Sequence, residues 1–286
     1  MFTPIGFFQS AAATGPLLDV YPNAAFAYSV RKLRSDYTGD CMRVYKSSGG
    51  TTQDFGFDAD GYLDVDAIET FLGSSDGYVN IWYDQSGNGN DLSFSSAQRP
   101  LIANSGTVTK KNGGKVSMEY RDDRGISIGV TSRGNKTVIT CAQNNENGSA
   151  TAAARIISNF AGGGSLGTAL MMDFYPQVGV RVFDGGDTST KRNYHPGTVV
   201  PVGAAIAGYY KDGSDTYATY NGNTQTSAGG TGNALLSDNY PIYAFEDRAG
   251  SNPEISDGVS EIVLWDNQTL DLAAIADNLN DFYGIY

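Results

Sequence analysis

Histidine is nearly missing from this chain, with His195 alone, and cysteine is scarce, with Cys41 and Cys141 only. Two thiols and one imidazole cannot assemble the ligand sets that zinc, haem or iron–sulfur centres require, so neither a metal nor a cofactor is expected. The cysteines could pair only once, which is no disulfide framework and leaves the redox compartment open. Charged residues make up 17 % of the 286, and basic ones are the minority: 19 Lys and Arg stand against 31 Asp and Glu, for a net charge of −12. Such a surface repels phosphate backbones, and nucleic acid is not an expected partner. No apolar run approaches the roughly 20 residues that span a bilayer, and the opening MFTPIGFFQS lacks a basic start. Neither membrane insertion nor a secretory signal is expected.

Glycine and aromatics are plentiful, with 36 Gly, 18 Tyr and 13 Phe. That composition favours strands and tight turns over helices. Residues 1–20 show no period and read as an N-terminal arm, which with Phe2, Phe7 and Phe8 either folds back on its own domain or clasps a neighbouring subunit. Residues 21–286 read as one domain. A short helix is predicted from Tyr21 through Leu33, where Ala24, Ala25 and Ala27 are good helix formers. Beyond it, β-prone runs recur at 41–46, 54–57 and 79–83, and from residue 115 to residue 265, separated by Gly, Asn, Asp and Ser clusters. This is the spacing of a two-sheet antiparallel sandwich. Two further helices interrupt it: one capped by Asp64 and stopped by Gly73, and a C-terminal one with Leu272, Ile275, Ala276, Leu279 and Phe282 on one face, stopped by Gly284.

Several motifs imitate known sites and fail on detail. The run Asp58 to Glu69 alternates carboxylates like a calcium loop, but its sixth position, where the sharp bend needs glycine, is Leu63. A hairpin turn leading into a capped helix fits better. The Gly-rich run 161–167 is not followed by Lys-Ser/Thr, so it reads as a loop rather than a phosphate cradle. His195 lies in a polar run without a serine elbow elsewhere, as a solvated loop residue would. Paired carboxylates across a cleft remain, the chemistry of glycoside hydrolysis, and 31 acidic residues supply many pairs.

The most specific segment is Ile81-Trp-Tyr-Asp-Gln-Ser-Gly-Asn-Gly-Asn-Asp91, preceded by Ala27-Tyr-Ser-Val-Arg-Lys-Leu-Arg-Ser-Asp-Tyr-Thr-Gly39 and Arg43-Val-Tyr-Lys-Ser-Ser48. These residues resemble the catalytic domain of α-L-arabinofuranosidase B, well over 24–105 and diffusely afterwards. The resemblance implies a concanavalin-like, lectin-like β-sandwich or jelly roll. The family's nucleophilic glutamate has its nearest counterpart in Asp173, one methylene shorter, and its acidic aspartate in Asp247. Where the family lines its sugar pocket with adjacent cysteines, this chain has Ile156-Ile157. Trp82, Tyr83 and Asp84 are the carbohydrate-contact candidates. Two readings of the motif stay open: a ligand contact, or a structural corner in which Asp84 and Asn88 bond backbone N–H groups while Gly87 and Gly89 take positive φ.

The segment Leu17-Leu-Asp-Val-Tyr-Pro-Asn-Ala-Ala25 and the run Asp54-Phe-Gly-Phe-Asp-Ala-Asp-Gly-Tyr-Leu-Asp64 also resemble virion proteins of tailed bacteriophages. Together with the departures at Asp173 and Ile156-Ile157, this favours a non-enzymatic structural virion protein, a tail, baseplate, fibre or head-decoration component assembled in the host cytoplasm. Its expected partners are other virion proteins, further copies of itself and a host-surface glycan. The rival expectations are an arabinofuranosidase-like glycoside hydrolase and a free carbohydrate-binding module.

Overall fold

The computed structural model describes residues 15–120, 126–132, 136–144, 154–158, 171–175, 179–183, 191–194, 203–212, 215–227, 240–245 and 256–286. Strands dominate. The first ten are β1 (Phe26–Ser29), β2 (Met42–Lys46), β3 (Thr52–Phe55), β4 (Gly77–Trp82), β5 (Leu92–Ser93), β6 (Leu101–Asn104), β7 (Thr107–Val108), β8 (Lys110–Asn112), β9 (Lys115–Val116) and β10 (Met118–Tyr120). There follow β11 (Ile126–Ser132), β12 (Lys136–Asn144), β13 (Ala154–Ser158), β14 (Met171–Tyr175), β15 (Gly179–Phe183), β16 (Lys191–Tyr194), β17 (Gly203–Asp212), β18 (Asp215–Tyr220), β19 (Asn223–Ser227), β20 (Tyr240–Ala244) and β21 (Ser256–Asp266). The helices among the described residues are α1 (Leu17–Val20), α2 (Val65–Leu72) and α3 (Leu272–Tyr283). None is long and apolar enough to cross a membrane.

Among the described residues all strand pairing is antiparallel, in two main sheets that form a β-sandwich. The larger runs β19-β18-β17-β12-β21-β10-β6-β4-β2-β3, with β1, β5 and β7 added on β21, β4 and β6. The second runs β11-β20-β13-β14-β15-β16, and β8 and β9 form a small ribbon. The long strand β21 organises the first sheet: β12 follows one edge from Asp266 to Val259, while β1 (Phe26↔Leu264 to Ser29↔Glu261) and β10 (Met118↔Val259) share the other. Its Val259, Ile262, Val263, Leu264 and Trp265 are all fully buried, as a strand covered on both faces requires.

Helices α2 and α3 follow their sequence signals. Asp64 caps α2 by accepting from the Ala67 N–H at 3.0 Å, and Asp271 caps α3 from Ala274 at 3.1 Å. Gly284 ends α3 in the left-handed conformation. The helix lies over β17 and β12, where Gly208 permits its approach. A Cβ there would come 2.4 Å from the Val138 carbonyl oxygen and 3.0 Å from Leu272.

The predicted helix over 21–33 is corrected: its centre is the strand β1, buried at every position. Alanine-rich composition favours a helix locally, but four residues enclosed between β21 and a polar corner bond better as a strand, and tertiary context overrides propensity. The end of the expected arm also belongs to the domain. Leu17 and Leu18 are buried, and the Leu18 N–H donates to the Leu33 carbonyl at 2.8 Å. Phe2, Phe7, Phe8, the run 161–167 and His195 lie outside the described residues.

At the junction of β1, β21 and α3 sits a buried ion pair. Arg31 Nε donates to Glu261 Oε2 at 2.9 Å and Nη2 to Oε1 at 3.1 Å, with the glutamate fully buried. Glu261 Oε2 also accepts from Ser29 Oγ at 2.7 Å and the Tyr283 hydroxyl at 3.1 Å, while Arg31 Nη2 donates to Asn278 Oδ1 at 3.0 Å. Breaking such a pair from one side strands a charge in the core, so Glu261→Ala is expected to cost about 3–5 kcal/mol. Urea unfolding would measure it, and the double variant Arg31→Met/Glu261→Leu should recover part of the loss.

Candidate functional site

The Trp82–Asp91 motif forms a corner that closes the free edge of β1. Asp84 Oδ1 accepts from the Ala27 N–H at 2.9 Å and the Ser86 N–H at 2.9 Å, and Oδ2 from Ser86 Oγ at 2.7 Å and the Asn90 N–H at 3.0 Å. The Gln85 N–H donates to the Ala27 carbonyl at 2.8 Å, so Ala27 gains a strand-like partner on the side away from β21. The Gln85 side chain is fully buried; it accepts from Leu33 N–H at 2.8 Å and donates to the Ser29 and Arg31 carbonyls, both at 3.0 Å. Asn88 and Asn90 donate to the Ala24 and Ala25 carbonyls. Gly87 and Gly89 take φ of 93° and 74° and turn the chain between these anchors.

The three carbohydrate-contact candidates therefore occupy different surroundings. Trp82 is fully buried; its Nε1 points at the Ser29 carbonyl, 3.4 Å away, and its ring lies 5.5 Å from that of Tyr28. No ring face is left for a sugar to stack on. Asp84 is buried in the corner, its carboxylate committed to four donors. Only Tyr83 remains half-exposed, on a small polar cluster that sequence inspection missed because its members lie on separate strands. The Tyr83 hydroxyl donates to Asp54 Oδ1 at 2.6 Å, and Arg43 holds both Asp54 oxygens at 2.7 Å. Those bonds, Arg43's first, hold the Asp54 carboxyl below the usual carboxylate range, while burial and the Asp54 bond push Tyr83 up.

Of the two enzyme-type candidates, Asp173 lies on a described strand of the second sheet. Asp173 lies in β14, in register with Arg155 of β13 on one side and Arg181 of β15 on the other. Strand β13, which carries Ile156 and Ile157, separates β14 from β20: Ile157 pairs with both Met172 and Ala244. The chain then leaves β20 through Phe245, whose N–H donates to the Ile156 carbonyl at 3.3 Å. Asp247 itself, two residues on, lies outside the described residues. Phe245 has φ of 59°, uncommon for a residue with a side chain. Its ring is buried and stacks on Tyr120 of the first sheet at 4.6 Å, with Phe94 at 6.4 Å. The aromatic stack ties the end of β20 to the first sheet.

This arrangement defines a class, a two-sheet antiparallel sandwich with an acidic residue on a central strand of its second sheet. Within that class, residues 19–156, just under half of the chain, match the family model for the α-L-arabinofuranosidase B catalytic domain. A curated relative, α-L-arabinofuranosidase B of Emericella nidulans, is 38 % identical over 89 residues, which are 29 % of this chain and 17 % of that protein. An arabinofuranosidase crystallised with arabinofuranosyl-α-1,2-xylobiose matches with a TM-score of 0.65 at 16 % identity, over 93 % of this chain and 64 % of its own. A glutamate-to-glutamine mutant of a GH54 α-L-arabinofuranosidase, soaked with 4-nitrophenyl α-L-arabinofuranoside, matches at 0.64 and 15 % identity, over 93 % of this chain and 65 % of its own. At such identities the structural likeness shows the fold.

The expectation of a bacteriophage virion protein is corrected here. Family model, curated relative and solved structures converge on arabinofuranosidases, with no phage component in that agreement. The phage-like segments 17–25 and 54–64 serve the sandwich itself: Leu17, Leu18, Ala24, Phe55 and Leu63 are core residues and Asp64 is a helix cap. Segments of that kind follow the fold rather than the function it serves.

Two predictions test the corner and the polar cluster. Asp84→Ala would strand buried donors at about 1–3 kcal/mol each and should lower the urea midpoint markedly, whereas Asn88→Ala, nearer the surface, should cost less. Asp54 carries a depressed folded-state pKa, so its contribution is complete above the unfolded value of about 4 and is lost as pH falls through the folded one. The stability gap between the wild type and Arg43→Ala should accordingly narrow between pH 6 and pH 3, measured by urea unfolding.

Proposed function

We propose that this chain is an α-L-arabinofuranosidase-like glycoside hydrolase, with Asp173 as its nucleophilic carboxylate and Asp247 as its general acid. The observation that carries the reading is the strand order β20-β13-β14, which sets Asp173 and the segment entering Asp247 on opposite sides of one intervening strand. Two strand spacings are about 10 Å between backbones. Glycosidase carboxyl pairs stand roughly 5–10 Å apart, a separation of the same order. The arabinofuranosidases matched above support the substrate class, since one was crystallised with an arabinofuranosyl-xylobiose.

The family match ends at residue 156, before both carboxylates, so it supports the scaffold while the chemistry rests on Asp173 and Asp247. A carboxylate one methylene shorter than glutamate asks the sugar to sit closer to β14. Ile156 and Ile157, where the family has adjacent cysteines, are both fully buried. Hydrolysis of an aryl α-L-arabinofuranoside by the wild type is the expected result. Asp173→Asn and Asp247→Asn should each lower kcat by about 10²–10⁴-fold, with unfolding midpoints little changed. A wild type without turnover, or variants as active as the wild type, would overturn the assignment.

A further inference from the structure

A second surface, distant in sequence from both carboxylates, has the features of a sugar-chain platform. The turn over 58–62 is tightly held: Asp58 Oδ1 accepts from the Asp60 and Tyr62 N–H groups, both at 2.9 Å, and Gly61 takes φ of 81°. It presents the Tyr62 ring, 40 % exposed, one of two large apolar side chains so exposed among the described residues. The ring does not swing freely. It packs on Phe282 of α3 at 5.0 Å, and Lys115 Nζ lies 4.8 Å from the Tyr62 centroid and 4.6 Å from that of Phe282. Arg31, already fixed by Glu261, lies over Phe282 at 5.3 Å.

The Tyr62–Phe282 pair is shared by two recesses. One, of about 330 Å³, is bordered by Asp58, Asp64, Asp66, Lys110 and Lys115; the other, of about 380 Å³, by Arg31, Lys32 and Asp60. Both fall within the size of small-ligand pockets. Their lining mixes the carboxylates of Asp58, Asp60, Asp64 and Asp66 with the cationic groups of Arg31, Lys32, Lys110 and Lys115, so a polyanion or a polycation would meet like charge. A neutral polyol meets acceptors and donors together, and its C–H face suits an exposed aromatic ring. We infer that Tyr62 is the centre of an auxiliary binding site for a neutral polysaccharide chain, one sugar on the ring and its neighbours in the flanking recesses.

The choice of an arabinose-bearing polymer as probe rests on the proposed hydrolase activity, while binding is read without turnover. Native electrophoresis of the full chain through gels containing neutral arabinoxylan should retard the wild type and Asp173→Asn alike. Tyr62→Ala should weaken the apparent affinity about five- to tenfold. Tyr62→Gln, which keeps the reach and discards the ring, should do the same should the alanine variant unfold. Aryl arabinoside hydrolysis by the two Tyr62 variants should stay at the wild-type level, and polygalacturonate should retard none of the proteins. Unretarded wild type, equal retardation of the Tyr62 variants, or stronger binding of polygalacturonate would each overturn the site. Failure of the hydrolase reading would look different, as retardation without turnover.

Discussion

The buried pairing of Arg31 with Glu261 is the constraint on which the rest of the described architecture depends. A carboxylate and a guanidinium removed from water are tolerable only when each meets the other and every remaining lone pair and proton is satisfied. Ser29, Tyr283 and Asn278 provide that satisfaction. Because these residues come from β1 and its continuation, β21 and α3, the pair closes properly only when the first strand, the long central strand and the C-terminal helix are in register. It also orients Phe282, through Arg31, and so reaches the surface where Tyr62 is presented.

A second constraint acts on the other edge of β1. A four-residue strand with both faces buried cannot leave its outer N–H and C=O groups unpaired. The corner after β4 meets that need with side chains instead of a strand: Asp84 and Gln85 pair with Ala27, and Asn88 and Asn90 with Ala24 and Ala25. The most family-specific segment of the chain thus acts on the scaffold. The acidic residues proposed for the chemistry, Asp173 and Asp247, come later in the chain.

Local signals in the sequence determined a good deal by themselves. Asp64 with Gly73 brackets α2, and Gly284 ends α3, because a cap oxygen and a positive-φ glycine act within a few residues of the helix they bound. Among the described residues, the β-prone runs at 41–46 and 79–83 fall largely on β2 and β4, and the alternation at Trp82 and Tyr83 separates a core ring from a half-exposed one. These features depend on neighbours in the chain, and hydrophobic periodicity carries them.

Only the tertiary structure decided the rest. Phe26–Ser29 is a strand because its partners arrive from residues 84–90 and 261–264, too far along the chain for any local pattern to announce. Arg31 with Glu261, and Phe245 with Tyr120, are likewise contacts between distant segments, as is the adjacency of β14, β13 and β20 that gives Asp173 its place. Which carboxylates share a site, and which aromatic rings meet solvent, follows from how sheets pack, because antiparallel pairing between remote strands is set by mutual burial and satisfied hydrogen bonds rather than by the residues on either side.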